Sequence, residues 1–179
     1  DEQKKNLMWV FNGGFQYKHG HYGYKYNGEI VYPPKKGLAT LLFYKNGTYR
    51  IAEWKDEFLS DENIITFRQN EIPLVINGKP NYEAQKFWGL TPKNVDPIYT
   101  FRSGIGLTNN NELVFAAGAD ISPKTLALGL ISAGAVDAMH LDMNYWNVHL
   151  IGTNHDDKGN IKTYNECPIL CYYSEIYVK

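Results

Sequence analysis

The chain has 179 residues, a formal net charge of −1 and 21% charged residues. This length is typical of one domain, and we expect residues 1–179 to form a single domain. Because no basic excess is available to neutralise a phosphate backbone, the charge disfavours nucleic-acid binding. The longest apolar stretches are far shorter than a membrane span, so we expect no span in this chain.

Turn signals recur along the chain and predict β-hairpins, because Asn and Gly tolerate the positive φ that tight hairpin turns need. The three clearest turns are Asn27-Gly28, Asn46-Gly47 and Asn109–Asn111. They separate Tyr22–Tyr26 from Glu29–Tyr32, Ala39–Lys45 from Thr48–Trp54, and Ile98–Leu107 from Glu112–Ala117. Weaker turns are predicted at Asn77-Gly78 and Lys158-Gly159.

One helix is clearly indicated in the second half of the chain. Ser122 is a natural N-cap, Pro123 suits the first helical position, and Gly134 suits the C-terminal end. A second helix is predicted over Asp61–Asn70, with Ser60 as its cap.

These elements predict an α+β fold with a mixed, mainly antiparallel twisted sheet, hairpins and one or two packed helices. The predicted strand Val136–Asn144 follows the first helix, an order that leaves room for a local parallel pairing. Aromatic residues make up 15% of the chain and include 14 tyrosines. They suit cross-strand packing or the stacking of sugars, and composition leaves both interpretations open.

Two polar segments lie in the first half of the chain. An apolar strand runs into Asn12-Gly13-Gly14, where the glycines permit unusual backbone angles and expose N–H groups, although by pattern alone a plain turn is favoured. Arg68-Gln69-Asn70 is dense in hydrogen-bond donors. His19 and His21 are interpreted as exposed loop histidines, with a proton-transfer role left open.

No metal or cofactor site is predicted. The spacing of the loop histidines fits a metal poorly, and no other residues complete a zinc set around Cys167 and Cys171. The two cysteines are interpreted as ordinary small side chains, with one local bridge as the alternative if the protein is exported.

The predicted strand Ile98–Leu107 places Arg102 on one face with Gly104 and Gly106. Glycines in a strand often mark the close approach of a ligand, and the guanidinium fork suits phosphate or carboxylate. The pattern therefore predicts an open shelf beside a cation, with a surface ion pair as the alternative.

The predicted strand Val136–Asn144 places Ala138, His140, Asp142 and Asn144 on one face. Its other face is apolar and carries Met139, Leu141 and Met143. An acid, an amide and an imidazole beside an apolar face are typical of a strand presenting a site. A solvent-facing polar side is the alternative.

Together these segments resemble the phosphodiester glycosidase family, and in particular a bacterial branch of it. The match runs in order from about Trp9 to Asn144. Its main segments are Phe11–Phe15, Arg102–Gly106 and Ala135–Asp142. The features associated with the bacterial branch are Asn12–Gln16, His19-Gly20, Pro33-Pro34, Gly37–Thr40, Arg68–Asn70 and Leu141–Asn144.

The resemblance implies hydrolysis of a sugar-1-phosphodiester, with a sugar-phosphate or glycan as substrate and an extracytoplasmic location. Asp142 would stabilise or attack the anomeric centre, and Arg102 would contact phosphate oxygens. The second proton-transfer group stays open among His140, Asp120 and Glu71. The predicted substrate-binding residues are Asn12, Gly13, Gly14, Arg68, Gln69, Asn70 and Asn144.

Two alternatives belong to other functional classes. A carbohydrate-binding domain that kept the fold without turnover is suggested by Met143-Asn144, which stand where the family usually carries glycines and a serine. The other is a transferase, or a different phosphodiester hydrolase, acting on an envelope polymer.

Overall fold

The computed structural model describes residues 6–85, 99–143 and 148–168. Three residues named above, Ile98, Asn144 and Cys171, lie outside these ranges, and the side chain of Cys167 is not described. The described strands are β1 (Trp9–Phe11), β2 (Tyr24–Tyr26), β3 (Glu29–Tyr32), β4 (Ala39–Tyr44), β5 (Tyr49–Glu53), β6 (Ile64–Gln69), β7 (Val75–Ile76), β8 (Lys79–Pro80), β9 (Thr100–Thr108), β10 (Leu113–Ile121), β11 (Ala135–Met143), β12 (His149–His155) and β13 (Ile161–Pro168). The helical segments are α1 (Pro123–Ser132) and the 3-10 turns Tyr17–His19, Asp56–Ser60 and Tyr82–Gln85.

The described strands form three sheets. The first sheet has the order β3-β2-β6-β4-β5, the second β10-β9-β11-β7-β8, and the third β1-β12-β13. Every pairing described between these strands is antiparallel. β10 and β11 run in the same direction across the connecting helix, but β9 lies between them, so no local parallel pair forms there. The predicted α+β fold with twisted, mainly antiparallel sheets is confirmed.

The predicted hairpins form where the turn residues adopt positive φ. Asn27 and Gly28 have φ of 48° and 88°, and they join β2 to β3. The caps of α1 also follow the prediction. The Ser122 side chain accepts a hydrogen bond from the Thr125 N–H at 3.1 Å, and Gly134 beyond the helix has φ of 94°.

The predicted helix over Asp61–Asn70 is wrong, because this segment forms strand β6 between β2 and β4. The run Ile64-Ile65-Thr66 is β-branched and favours a strand. Phe67 packs with Trp54 on the outer face of the first sheet, with ring centroids 4.7 Å apart. Pairing with two neighbouring strands therefore outweighs the cap-like Ser60 that suggested a helix.

The second sheet lies between α1 and the first sheet. On one face, Leu126 and Leu130 of α1 pack over Gly104 and Gly106 of β9. The opposite face packs against the first sheet through Ala39, Leu41, Ile51, Ile105, Leu107, Met139 and Leu141. Within the described ranges, no helix is long and apolar enough to cross a membrane.

Candidate functional site

The predicted turn and the predicted acid meet at the end of β11. Asn12 Nδ2 donates a hydrogen bond to Asp142 Oδ2 at 2.7 Å, and Asn12 Oδ1 accepts from the Gly14 N–H at 3.2 Å. The other carboxylate oxygen, Oδ1 of Asp142, accepts from the Met143 N–H at 2.7 Å. Asp142 is only 5% exposed, so the carboxylate is fixed in orientation at the edge of the interior.

A buried amide, Asn70, holds the turn against β11. Its Nδ2 donates to the carbonyl oxygens of His140 and Leu141 at 2.8 and 3.0 Å, and its Oδ1 accepts from the Phe15 N–H at 3.2 Å. Gly14 has φ of 114°, and a Cβ at this position would overlap the Asn70 amide. Asn70 thus positions the Asn12–Phe15 turn, and both of its N–H donors are used inside the protein.

The neighbouring amide Gln69 is also committed to the fold. Its Oε1 accepts from the N–H groups of Gly23 and Lys35 at 3.1 and 2.8 Å. Its Nε2 donates to the Lys35 carbonyl at 3.1 Å and to Thr40 Oγ1 at 3.0 Å. Because a carboxamide offers two donors and one doubly accepting oxygen, these four bonds leave no capacity for the substrate contact that the family resemblance implies.

Opposing influences set the protonation of Asp142. Burial raises the pKa of its carboxyl, whereas hydrogen bonds from the Met143 N–H and Asn12 lower it, as do the charges of His19 and Arg68. Asp142 is therefore influenced by side chains of two segments that are distant in the sequence. Arg68 was predicted to bind substrate, but His19 was interpreted as a loop histidine, since nothing local in the sequence shows that the two distant segments meet.

Arg68 lies at the rim of the site with part of its surface open. Its Nη2 donates to the Phe15 carbonyl, and its Cζ lies 5.7 Å from the centre of the Tyr24 ring. Burial lowers the pKa of Arg68, while the nearby phenols and Asp142 raise it. In the described part of the chain this guanidinium makes one hydrogen bond, so it keeps further N–H donors for a ligand.

Arg102 lies deeper than the sequence predicted. It has no exposed surface, its Nε donates to the Ile121 carbonyl at 3.1 Å, and its Nη1 lies 3.5 Å from His140 Nε2. Burial lowers the pKa of Arg102 to about 10. Burial, aided by the charge of Arg102, also lowers the pKa of His140 well below its ordinary value. A neutral imidazole facing a buried cation favours a positioning role over proton transfer.

The glycines beside Arg102 do not form an open shelf. A Cβ at Gly104 would lie 3.1 and 3.2 Å from side-chain atoms of Leu130 and Leu126, which belong to α1. The glycines of β9 therefore allow α1 to pack closely on the strand, and leucine side chains of α1 occupy the space predicted for a ligand.

Glu71, one candidate second acid, is tied to a tyrosine. Its carboxylate accepts a hydrogen bond from the buried Tyr22 hydroxyl, and burial and Glu71 together raise the pKa of Tyr22. The Phe15 ring lies 6.0 Å from the Tyr22 ring and 5.6 Å from the His140 ring. The Glu71 carboxylate is thus engaged by Tyr22.

Two further polar candidates belong to other segments of the chain. Asp120 is exposed at an irregularity of β10 and has φ of 49°. His21 packs edge-on against Tyr17, with ring centroids 4.8 Å apart. Among the residues that the structure describes, no three His, Cys, Asp or Glu side chains are grouped to hold a metal ion.

Comparison with known proteins gives a family and a fold. A family model described as phosphodiester glycosidase matches residues 5–142. The chain is similar to the catalytic domain of zebrafish N-acetylglucosamine-1-phosphodiester alpha-N-acetylglucosaminidase, whose structure is described as auto-inhibited by its pro-peptide, with 14% identity and a TM-score of 0.63. The alignment covers 99% of this chain and 62% of that chain.

A second similar structure is that of a hypothetical protein from Synechocystis. Its identity is 11% and its TM-score 0.52, over 89% of this chain and 49% of that one. At such low identities, the two structures show a shared fold. Among curated proteins, none matches the chain.

Proposed function

Because the chain belongs to the phosphodiester glycosidase family, we propose that it hydrolyses a sugar-1-phosphodiester at the glycosidic bond, with Asp142 acting at the anomeric carbon. The observation that carries the proposal is the 2.7 Å hydrogen bond from Asn12 to Asp142, which fixes the orientation of a nearly buried carboxylate. The charges of Arg68 and His19 favour its ionised form. Such a site offers one negative group for the sugar and positive groups for the phosphate.

The chemistry explains why a carboxylate belongs there. Departure of the phosphate builds oxocarbenium character on the sugar ring, and an ionised Asp142 stabilises or attacks that centre. Charge stabilisation is stronger at a position shielded from water. The hydrogen bonds from Asn12 and Met143 favour the ionised form against the effect of burial.

Arg68 is the better candidate for the phosphate oxygens. Arg102, predicted for this role, has no exposed surface, whereas Arg68 is partly open and influences Asp142 through its charge. Gly13 is an exposed residue whose backbone N–H makes no described hydrogen bond, so this N–H is a further candidate donor to the phosphate. Since a phosphodiester is a good leaving group already, these charges reduce the need for a second acid.

The test is hydrolysis of aryl diesters of several sugar 1-phosphates. The panel begins with N-acetylglucosamine, because that sugar appears in the name of the similar zebrafish enzyme. In water enriched in oxygen-18, cleavage at the glycosidic bond leaves the aryl phosphate unlabelled in mass spectrometry. Label in the phosphate would instead identify attack at phosphorus and overturn the proposal.

Asp142→Asn removes the charge at nearly constant shape and is expected to lower kcat by at least about 100-fold. Asp137→Asn is the matched control on the same strand, where Asp137 is half-buried and its Oδ1 accepts from the Asn77 N–H at 3.2 Å. Equal activity of the two variants would exclude Asp142 as the acting carboxylate. If the unaltered protein binds the diesters without hydrolysing them, the proposal fails and the alternative of a carbohydrate-binding domain is supported.

A further inference from the structure

Strand β11 contains a β-bulge at the candidate acid. Residues 137–140 pair one for one with β9, and this regular stretch ends with His140 opposite Gly104. The next pair is Met143 with Arg102, so two residues of β11 share Ser103 as their partner on β9. The two residues that share this partner are Leu141 and Asp142. A bulge often lies next to an active site, where it re-aims a side chain.

The bulge interrupts the alternation that would otherwise set the direction of the Asp142 side chain. In a regular strand Asp142 would share a face with His140. The structure gives the two side chains different neighbours. The Nε2 atom of His140 lies 3.5 Å from Arg102 Nη1. The Asp142 carboxylate is instead hydrogen-bonded by Asn12 at 2.7 Å. The direction of this carboxylate therefore depends on the bulge.

The side chain of Ser103 holds the backbone of the bulge. Its Oγ accepts a hydrogen bond from the Asp142 N–H at 3.2 Å and donates to the Asp142 carbonyl oxygen at 3.4 Å. Ser103 is 1% exposed and Asp142 is 5% exposed, so water has little access to these backbone groups. Because a buried backbone group without a partner is costly, the Ser103 hydroxyl stabilises the bulged conformation.

We propose that Ser103 is a positioning residue for the reaction at Asp142, an inference that rests on the proposed function. Its hydroxyl holds the Asp142 backbone from β9, while Asn12 holds the carboxylate from the turn. The backbone contact keeps the bulge in the conformation that lets the carboxylate reach Asn12. Because Ser103 has almost no exposed surface, it acts through Asp142 rather than on the substrate.

Ser103→Ala removes the hydroxyl at nearly constant shape. Once the bulge is released, Asp142 loses hydrogen bonds that lower the pKa of its carboxyl, so that pKa rises. For an aryl diester of N-acetylglucosamine 1-phosphate, we expect kcat to fall about 10- to 100-fold with little change in KM. Because the ionised carboxylate is the acting form, the acidic limb of the kcat/KM profile should move to higher pH. Ser103→Thr keeps the hydroxyl and should restore both kcat and the limb.

Ser122→Ala is the matched control. The Ser122 Oγ also accepts from a backbone N–H, that of Thr125 at 3.1 Å, and Ser122 is only 9% exposed. Its loss removes the cap of α1 and lowers Tm, but kcat and the acidic limb should stay unchanged. If Ser103→Ala likewise lowers Tm alone, its hydroxyl is only structural and the proposal is overturned. A folded Ser103→Thr that fails to restore kcat also overturns it. If Ser103→Thr does not fold, the comparison of the two alanine variants decides.

A readout without turnover separates this proposal from the proposed function. In protein labelled with carbon-13 at the aspartate carboxyl groups, the Asp142 signal is assigned with Asp142→Asn and followed by NMR as the pH is changed. We expect a higher pKa of Asp142 in Ser103→Ala than in Ser122→Ala and the unaltered protein. If this shift is seen but no diester is cleaved, the proposed function fails and the placement of Asp142 by Ser103 stands. An unshifted pKa overturns that placement, whether or not diesters are cleaved.

Discussion

Two regions of the molecule bring glycines next to an arginine, and they differ in what fills the space. At the Asn12–Phe15 turn, Gly13 faces open space and the nearby Arg68 is partly exposed. On β9, the glycines lie beneath α1 and Arg102 has no exposed surface. The first region leads to the candidate acid, and the second is part of the packed interior.

The difference shows what a glycine next to a cation does and does not indicate. A missing side chain admits whatever approaches, which is a ligand in one place and a helix in another. Near Gly104, side-chain atoms of Leu126 and Leu130 in α1 fill the space. No local pattern in the sequence of β9 predicts that a helix packs there. Substitutions that add one methyl group therefore separate the two regions experimentally.

The largest effect is expected for Gly14→Ala. Gly14 has φ of 114°, and the new Cβ would overlap Asn70, so the turn must move and the contact of Asn12 with Asp142 is lost. Misplacement of a reacting group by about 1 Å costs on the order of 100-fold in rate, and we expect a fall in kcat of that size. Gly47→Ala is the control, because it has similar backbone strain at φ of 81° but open space around its Cβ. Equal kcat values for the two variants would contradict the positioning role of the turn.

Gly106→Ala tests the packed region and should affect stability rather than chemistry. The added Cβ would lie 2.5 Å from the Cβ of Ala135, and overpacking of this kind costs about 1–3 kcal/mol. We expect a lower free energy of unfolding in urea and an unchanged kcat for the folded fraction. Loss of kcat without loss of stability would show that the Gly106 end of β9 contributes to the site after all.

Asn12→Ala is expected to shift the pH dependence of activity. Asn12 lowers the pKa of Asp142, so its removal raises that pKa further. If the ionised carboxylate is the active form, the acidic limb of the kcat/KM profile moves to higher pH. Asn46→Ala, which alters a distant hairpin amide, should leave the limb in place. A limb that moves to lower pH or stays unchanged in Asn12→Ala would assign the titration to another group.

The smallest effect is expected for Gly129→Ala within α1. No atom lies within 4 Å of a Cβ built at this position, unlike the glycines beneath the helix. Replacing glycine by alanine in a helix interior stabilises by about 0.5–1 kcal/mol. Thermal unfolding should show a small rise in Tm. A fall in Tm would mean that another part of the protein packs against Gly129 and is displaced by the added methyl group.

Local signals were sufficient to predict most elements but not their neighbours. The hairpin at Asn27-Gly28 and the start of α1 at Ser122 follow from turn and cap chemistry within a few residues. The segment Ile64–Gln69 was misread as a helix because its strand partners, β2 and β4, lie far away in the chain. Pairing with strands distant in the sequence determines the secondary structure of such short segments.

The candidate site likewise combines residues that the sequence identified with long-range contacts that it could not predict. The contact of Asn12 with Asp142 joins two segments that the family resemblance singled out. The structural role of the Asn70 and Gln69 amides could not be predicted from sequence, because an amide side chain does not reveal which groups of the fold it will bind. Arg102 was misplaced for a similar reason, since its burial depends on a sheet and a helix folding over it.

The bonds made by Asn70 also explain why the second sheet has a gap at the site. β7 is paired with β11 at Ala138, and Pro73 just before it has no N–H to continue the ladder. The side chain of Asn70 supplies hydrogens to the next carbonyls, at His140 and Leu141, in place of a neighbouring backbone. The side chain of Asn70 thus takes the place of a strand next to these two carbonyls, and the turn that carries Asn12 is hydrogen-bonded to that side chain.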